Sequence, residues 1–237
     1  MKPFNIFLVR HGESVGNVDK NVYMHTPDWK VSLTPRGHDQ AEQAAKKIVC
    51  LCLRESKKYF ILSQPRPLAV TYCSPWKRTR DTAEPIMAGL KLFDEQSKYL
   101  EDPRLREQEW GNFQEKDFLA KQARERDRYG TFFYRIQNGE SGADVFDRIS
   151  TFFETLYRDF KKVDYPLNTI IVSHGLTIRC FLMRWFHWSV EDYERLRNPK
   201  NGSIIRMQLN LHTDKYDLMT KMQKYDFRNS HIKSSVI

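Results

Sequence analysis

Phe4-Asn5-Ile6-Phe7-Leu8-Val9-Arg10-His11-Gly12-Glu13-Ser14 is the stretch that decides how this chain folds. Its first six residues form an apolar run interrupted only by Asn5, with the length of one buried strand. Polar character then returns at once, as an arginine, a histidine and a glycine. In α/β sheets, ligand sites form just past the carboxyl ends of strands. An imidazole beside a guanidinium at such a place points to phosphoryl chemistry.

Outward from this strand, a loop is expected over residues 12–33. Thr34 can cap a helix and Pro35 suits its first position. Ala41, Ala44, Ala45, Ile48, Val49 and Cys52 then recur at helical spacing. Residues 55–67 read as a helix end and a loop. A second strand is predicted over 68–73, and Ser74-Pro75 is expected to launch a helix to about residue 89. A short strand follows at 98–100, then a loop over 103–114.

Residues 115–130 are dense in charge and read as helix, with Phe132, Phe133 and Tyr134 as the apolar anchor. Asn138-Gly139-Glu140-Ser141 reads as a turn ending in a helix cap. Val145, Ile149, Phe152, Phe153, Leu156 and Phe160 mark the core face of the next helix. Residues 168–173 form another strand, followed by His174-Gly175. Helices over 176–196 and closing strands at 203–211 and 216–219 complete the pattern. The aromatic-rich stretch 176–188 reads as core packing.

Strands alternating with helices predict an α/β fold, a single-domain mostly parallel sheet with helices on both faces. The domain is expected over residues 1–227, with a small helical cap insertion at about 115–140. Residues 228–237 read as a frayed tail.

The 237 residues carry 39 basic and 30 acidic side chains, a net charge of +9. That balance favours anionic partners. Lys121, Arg124, Arg126, Arg128 and Arg135 cluster with acids between them, which reads as a solvated helix face or, alternatively, as an anion-attracting rim over the crevice. They lack the aromatic interleaving of a nucleic-acid binder, so no nucleic-acid partner is expected. Nothing approaches the roughly 20 apolar residues of a membrane span. Met1-Lys2-Pro3 leads straight into the first strand, so a cytoplasmic protein is expected. Cys50, Cys52, Cys73 and Cys180 are then expected as reduced thiols, mostly buried. Cys50-Leu51-Cys52 lacks metal-ligand spacing, and no metal or other cofactor is expected.

Four polar clusters lie past strand ends: Arg10-His11, Ser74 to Arg78, Glu107, and His174-Gly175. In an open parallel sheet these ends converge on one crevice. Each residue type has a task in phosphoryl transfer. A neutral histidine is nucleophilic near pH 7. Arginine offers a permanently charged fork matched to phosphate oxygens. A glutamic acid can protonate a leaving alkoxide and then draw a proton from water. Glu107 is the candidate, with Glu101, Glu109 and Glu115 as nearby alternatives. Helix starts at Ser14 and Ser74 would add backbone N–H donors for the anion.

Arg10-His11-Gly12-Glu13-Ser14 with Asn17 resembles the signature of the histidine phosphatase superfamily, the phosphoglycerate-mutase-like fold. Ser74-Pro75-Trp76-Lys77-Arg78-Thr79 with Thr82-Ala83 is similar to that family's second arginine motif. Leu105-Arg106-Glu107-Gln108-Glu109-Trp110-Gly111 resembles its acid segment, and Ser173-His174-Gly175 its second-histidine motif. The resemblance spans roughly residues 4–210. It is greatest toward the phosphoglycerate-mutase-like phosphatases of plants and fungi. Asn138 to Ser141 with Asp144 and Arg148 also resembles a segment of bacterial broad-range phosphatases and of the fructose-2,6-bisphosphatase branch.

The resemblance implies roles. His11 would be the phosphorylated nucleophile and Glu107 the proton donor. Arg10, Arg78, His174 and Gly175 would complete the phosphate pocket, with Asn17 assisting. The implied activity is hydrolysis of the monoesters of small anionic phosphorylated metabolites, without a metal. A phosphoglycerate mutase is the alternative within the same chemistry. Mutases carry a long arginine- and proline-rich insert after the acid, where this chain has a shorter phenylalanine-rich segment. A non-catalytic phospholigand-binding module would lack the nucleophile or the acid, and this sequence has both.

Overall fold

The computed structural model describes residues 1–59, 66–112 and 115–225. The 228–237 stretch expected as a tail lies outside them. Among the described residues, six strands form one sheet in the order β3-β2-β4-β1-β5-β6. They are β1 (Asn5–Arg10), β2 (Ala69–Cys73), β3 (Lys98–Glu101), β4 (Asn168–Ser173), β5 (Ile204–Asn210) and β6 (Lys215–Leu218). β1 pairs with β4, β4 with β2, and β2 with β3, all parallel. β5 and β6 add an antiparallel edge beside β1. The expected mostly parallel sheet is therefore the observed one.

Alternation along the strands explains why β1 reads as a continuous apolar run. Ile6 and Leu8 point into one core, while Phe7 and Val9 point into another across the sheet. β2 and β4 divide likewise. Val70, Tyr72 and Ile171 join Ile6 and Leu8, and Ala69, Cys73, Ile170 and Val172 join Phe7 and Val9. A strand covered on both faces has no polar side to show.

The helices supply the two covers. α1 (Val15–Val18) is a single turn, and α2 (Pro35–Tyr59) follows it. α2 starts where Thr34 accepts the Gly37 amide at 3.0 Å. With α3 (Lys77–Lys91), α2 covers one face through Ala44, Ala45, Ile48, Ala83, Ile86 and Leu90. On the other face lie α5 (Gly142–Asp159) and α6 (Gly175–Phe186). α5 is capped by Ser141 and Asp144 and buries Val145, Ile149, Phe152, Phe153 and Leu156. A cap contributes about 1 kcal/mol, whereas each buried large side chain contributes about 1.5–3 kcal/mol. The apolar stripe therefore holds α5 in place, and the cap fixes where it begins.

Two local expectations change. α3 begins at Lys77 with Trp76 as its N-cap, not at Ser74-Pro75. The anchor after α4 (Lys116–Tyr129) is Phe132 with Ile136, while Phe133 is 60% exposed. The charged helix expected over 115–130 is α4 itself. α7 (Val190–Arg195) completes the helices. Among the described residues, no helix is long and apolar enough to cross a membrane. Cys52, Cys73 and Cys180 are buried free thiols, and Cys50 is exposed.

Candidate active site

The carboxyl ends of β1, β2 and β4 meet at the centre of the sheet. Arg10 ends β1, in register with Ser173 of β4, and Cys73 of β2 pairs with Val172 of β4. Chain segments leaving these strands enclose a cavity of about 480 Å³, bordered by Arg10, His11, Asn17, Arg78 and Glu107. A larger groove of about 780 Å³ runs between α2 and α3, but carries none of these residues. Five of the seven site residues expected from sequence thus border one cavity.

His11 is almost fully buried, and its Nδ1 lies 2.6 Å from the carbonyl oxygen of Gly12. A carbonyl can only accept, so Nδ1 carries the proton. In the neutral ring, Nε2 then keeps its lone pair. Burial, then the guanidinium groups of Arg78 and Arg10, hold the imidazole well below its ordinary value. The ring is therefore neutral, as a nucleophile must be. Gly12 permits this turn by its lack of a side chain, since a Cβ would collide with the carbonyl oxygen of Gly37.

His174 lies behind His11, with ring centroids 5.1 Å apart. It is fully buried and does not border the cavity itself. Its Nε2 is 2.8 Å from the Ser74 hydroxyl, and its Nδ1 is buried without a partner. Desolvation, then the Arg78 charge, keeps it neutral too. This explains the displaced start of α3. Ser74 turns its hydroxyl to His174 instead of capping the helix. Gly175 opens α6 away from the cavity, where a Cβ would press on Asn198.

The cations are anchored from behind. Arg10 donates through one guanidinium nitrogen to the Pro199 carbonyl at 2.6 Å, while its buried Nε has no partner. Arg78 is 4% exposed and stacks on Trp76 at 4.5 Å. It donates to the Asp28 carboxylate at 2.7 Å and to the Asp28 carbonyl at 2.8 Å. Asn17 borders the cavity while its Oδ1 accepts from the Ser14 amide and from Asn201, both at 3.0 Å. Lys20 and Lys116 add positive charge to the walls.

Glu107 also borders the cavity and is held by the start of α6. Its carboxylate accepts from the Leu176 and Thr177 amides, each at 3.2 Å, and from the Thr177 hydroxyl at 3.1 Å. These donors belong to the first turn of α6, so the Glu107 carboxyl group takes the acceptor position at that helix N-terminus. Arg148 fixes the segment that carries it. Its guanidinium donates to the Arg104, Arg106 and Glu107 carbonyls at 2.6, 2.8 and 3.1 Å. Glu140 pairs with both Arg148 and Arg106. The Glu140–Arg148 pair is thus a scaffold for Glu107.

Sequence reading missed Asp28, Lys20, Tyr23, Trp110 and α4's Leu119, Ala120 and Ala123, all of which border the cavity. One signal was available. A connection of some 20 residues between a strand and a helix is long for a plain loop, and long loops carry function. Residues 12–33 hold α1 and two short 3₁₀ turns, Lys20–Met24 and Asp28–Lys30. Among the described residues, no three His, Cys, Asp or Glu side chains gather as a metal site would need.

Two buried neutral histidines have a consequence for stability. Their folded pKa values lie below the ordinary 6.5. As pH falls below that value, the unfolded chain takes up protons that the folded chain refuses, so stability is lost with acid. The thermal midpoint is expected to be lower at about pH 5 than at about pH 7. The drop should be smaller in His11→Ala, and thermal denaturation across that range measures both.

The family profile of the histidine phosphatase superfamily (branch 1) matches residues 6–220. Phosphoglycerate mutase-like protein AT74 of Arabidopsis thaliana is 44% identical over 87% of this chain, which spans 65% of that protein's length. Phosphoglycerate mutase-like protein AT74H of the same plant is 41% identical, over 88% of this chain and 75% of its own length. Broad-range acid phosphatase DET1 of Saccharomyces cerevisiae is 29% identical, over 94% of this chain and 91% of its own. The fold is shared with the mycobacterial glucosyl-3-phosphoglycerate phosphatase at a TM-score of 0.66 and 21% identity, covering 92% of this chain and 99% of that one. The motifs, their convergence at one sheet end and the profile match give one conclusion: this chain belongs to the histidine phosphatase superfamily, branch 1.

Proposed function

We propose that this protein hydrolyses phosphate monoesters through a phosphohistidine at His11. The observation that carries the proposal is the His11 ring. Its Nδ1 is committed to the Gly12 carbonyl, which leaves Nε2 its lone pair, and the residue borders a cavity together with Arg10 and Arg78. In the first step, Nε2 bonds to phosphorus and the ester P–O bond breaks. Glu107, in its acid form, gives its proton to the leaving oxygen. In the second, water attacks phosphorus and the P–N bond breaks. The Glu107 carboxylate takes the water's proton, and inorganic phosphate leaves with His11 neutral again. Arg10 and Arg78 counter the phosphoryl charge from preset positions. His174 offers its unpartnered nitrogen beside His11, and Asn17 an amide at the wall. Gly175 opens α6, whose first-turn amides hold the Glu107 carboxyl group. The +9 charge of the chain suits an anionic substrate, and a cytoplasmic setting would supply small phosphorylated metabolites.

Mutase activity is the second reading, favoured by Lys20 and Lys116 on the cavity wall, which could hold a substrate carboxylate. The two differ in whether phosphohistidine passes its group to water or to a second hydroxyl. Incubation with 3-phosphoglycerate and a bisphosphoglycerate primer separates them. Free phosphate is expected to accumulate with little exchange between the 2- and 3-isomers. Rapid isomer exchange with little free phosphate would establish the mutase instead.

A further inference from the structure

A second cavity, of about 640 Å³, opens beside the first and shares Tyr23, Asp28 and Trp110 with it. Its walls are aromatic: Tyr23, Trp29, Trp76 and Trp110. Trp76 joins it to the phosphate-side residues, because that indole meets the His174 ring at 5.0 Å and carries the Arg78 guanidinium at 4.5 Å. A group attached to a phosphate held by Arg78 therefore has an aromatic enclosure next to it.

Charge separates the two cavities. Around the first, Arg10, Lys20, Arg78 and Lys116 outnumber Asp28 and Glu107. Around the second, Arg80 alone stands against Asp28, Glu101 and Glu109. Asp28 is paired with Arg78 at 2.7 Å and Glu109 with Arg106 at 3.0 Å, while Glu101 accepts from the Tyr99 hydroxyl at 3.1 Å, so among the described residues of these walls no cation is left over for a second anion except Arg80. A second phosphate or a carboxylate needs several donors, and this cavity faces it with carboxylates. A flat ring stacks well on indole faces, and such stacking contributes about 1–3 kcal/mol for a nucleobase. Hydroxyl groups on that ring would donate to the carboxylates at the rim.

We propose that the second cavity seats the leaving group, and that preferred substrates are phosphate monoesters of uncharged, hydroxyl-bearing ring compounds. The inference rests on the phosphatase reading above. Sugars and nucleosides share this chemistry, and the test distinguishes them.

The full chain and its Trp29→Ala variant are compared by kcat/KM on a hexose 6-phosphate, a nucleoside 5′-monophosphate, glycerol 3-phosphate and 3-phosphoglycerate. Trp29 is about half exposed, with Lys30 over its ring at 4.9 Å, so its loss spares the core. At least one ring ester is expected to exceed both glycerol 3-phosphate and 3-phosphoglycerate by about tenfold or more. Trp29→Ala should reduce that ratio about tenfold, chiefly through KM. Whichever ring ester leads names the source. A chain that turns over glycerol 3-phosphate or 3-phosphoglycerate as well as either ring ester overturns the subsite and leaves the phosphatase standing. So does a ratio that Trp29→Ala leaves intact. Release of phosphate from none of the four overturns both.

Discussion

His11→Ala is expected to reduce turnover by about 10³-fold or more on every ester, while the protein stays folded. The magnitude follows from the proposed role. A ligand or orienting residue would leave the covalent route open, whereas loss of the nucleophile closes it. What remains is direct attack of water on a phosphate held by the two arginines, with Glu107 still present but no covalent route. The fold should tolerate the change, because His11 sits on a loop beyond β1, its ring makes one hydrogen bond, to the adjacent Gly12 carbonyl, and its backbone bonds to Ser173 and Gly202 survive in alanine. Steady-state rates on an aryl and an alkyl phosphate, with circular dichroism as the folding control, measure both parts. Near-normal turnover would remove His11 from the chemistry.

The second large effect is expected from Glu107→Gln, and it should depend on the leaving group. General acid catalysis contributes about 10²–10⁴ in rate. An alkoxide needs that proton, while an activated aryl oxide leaves nearly unaided. Alkyl esters should therefore lose about 10²-fold or more, and activated aryl esters less than about tenfold. Glutamine keeps one acceptor oxygen for the Thr177 amide and gives up the bond from the Leu176 amide, so circular dichroism serves as the folding control here too. Equal losses on both ester types would assign the proton to another group.

Features set by short-range chemistry were the legible ones. β1, β2 and β4 show as apolar runs because both faces of the sheet are covered. α2 and α5 show through their caps and stripes, Thr34-Pro35 and Ser141 with Asp144. The convergence of Arg10, Arg78 and Glu107 could be expected because parallel strands end on one side.

The rest depends on partners distant in sequence. Asp28 meets Arg78 across 50 residues, and nothing local marks either for the other. Ser74 looked like a helix cap because Ser-Pro is a common start, yet His174, 100 residues on, takes its hydroxyl. Phe133, expected in the anchor, is exposed and Ile136 is buried instead, because residues 131–137 follow no helical or strand period. Gly139 illustrates the same limit, since a Cβ there would meet the Glu109 carbonyl oxygen of a segment 30 residues earlier.

Trapping the phosphoenzyme tests the central claim most directly. The protein is mixed with a phosphorus-radiolabelled aryl phosphate, quenched in denaturing alkali within the first turnovers, and mapped by peptide. An acid-labile, alkali-stable label is expected on the peptide carrying His11, and none in His11→Ala. Steady release of phosphate with no labelled protein at any time, or a label on another residue, would contradict it.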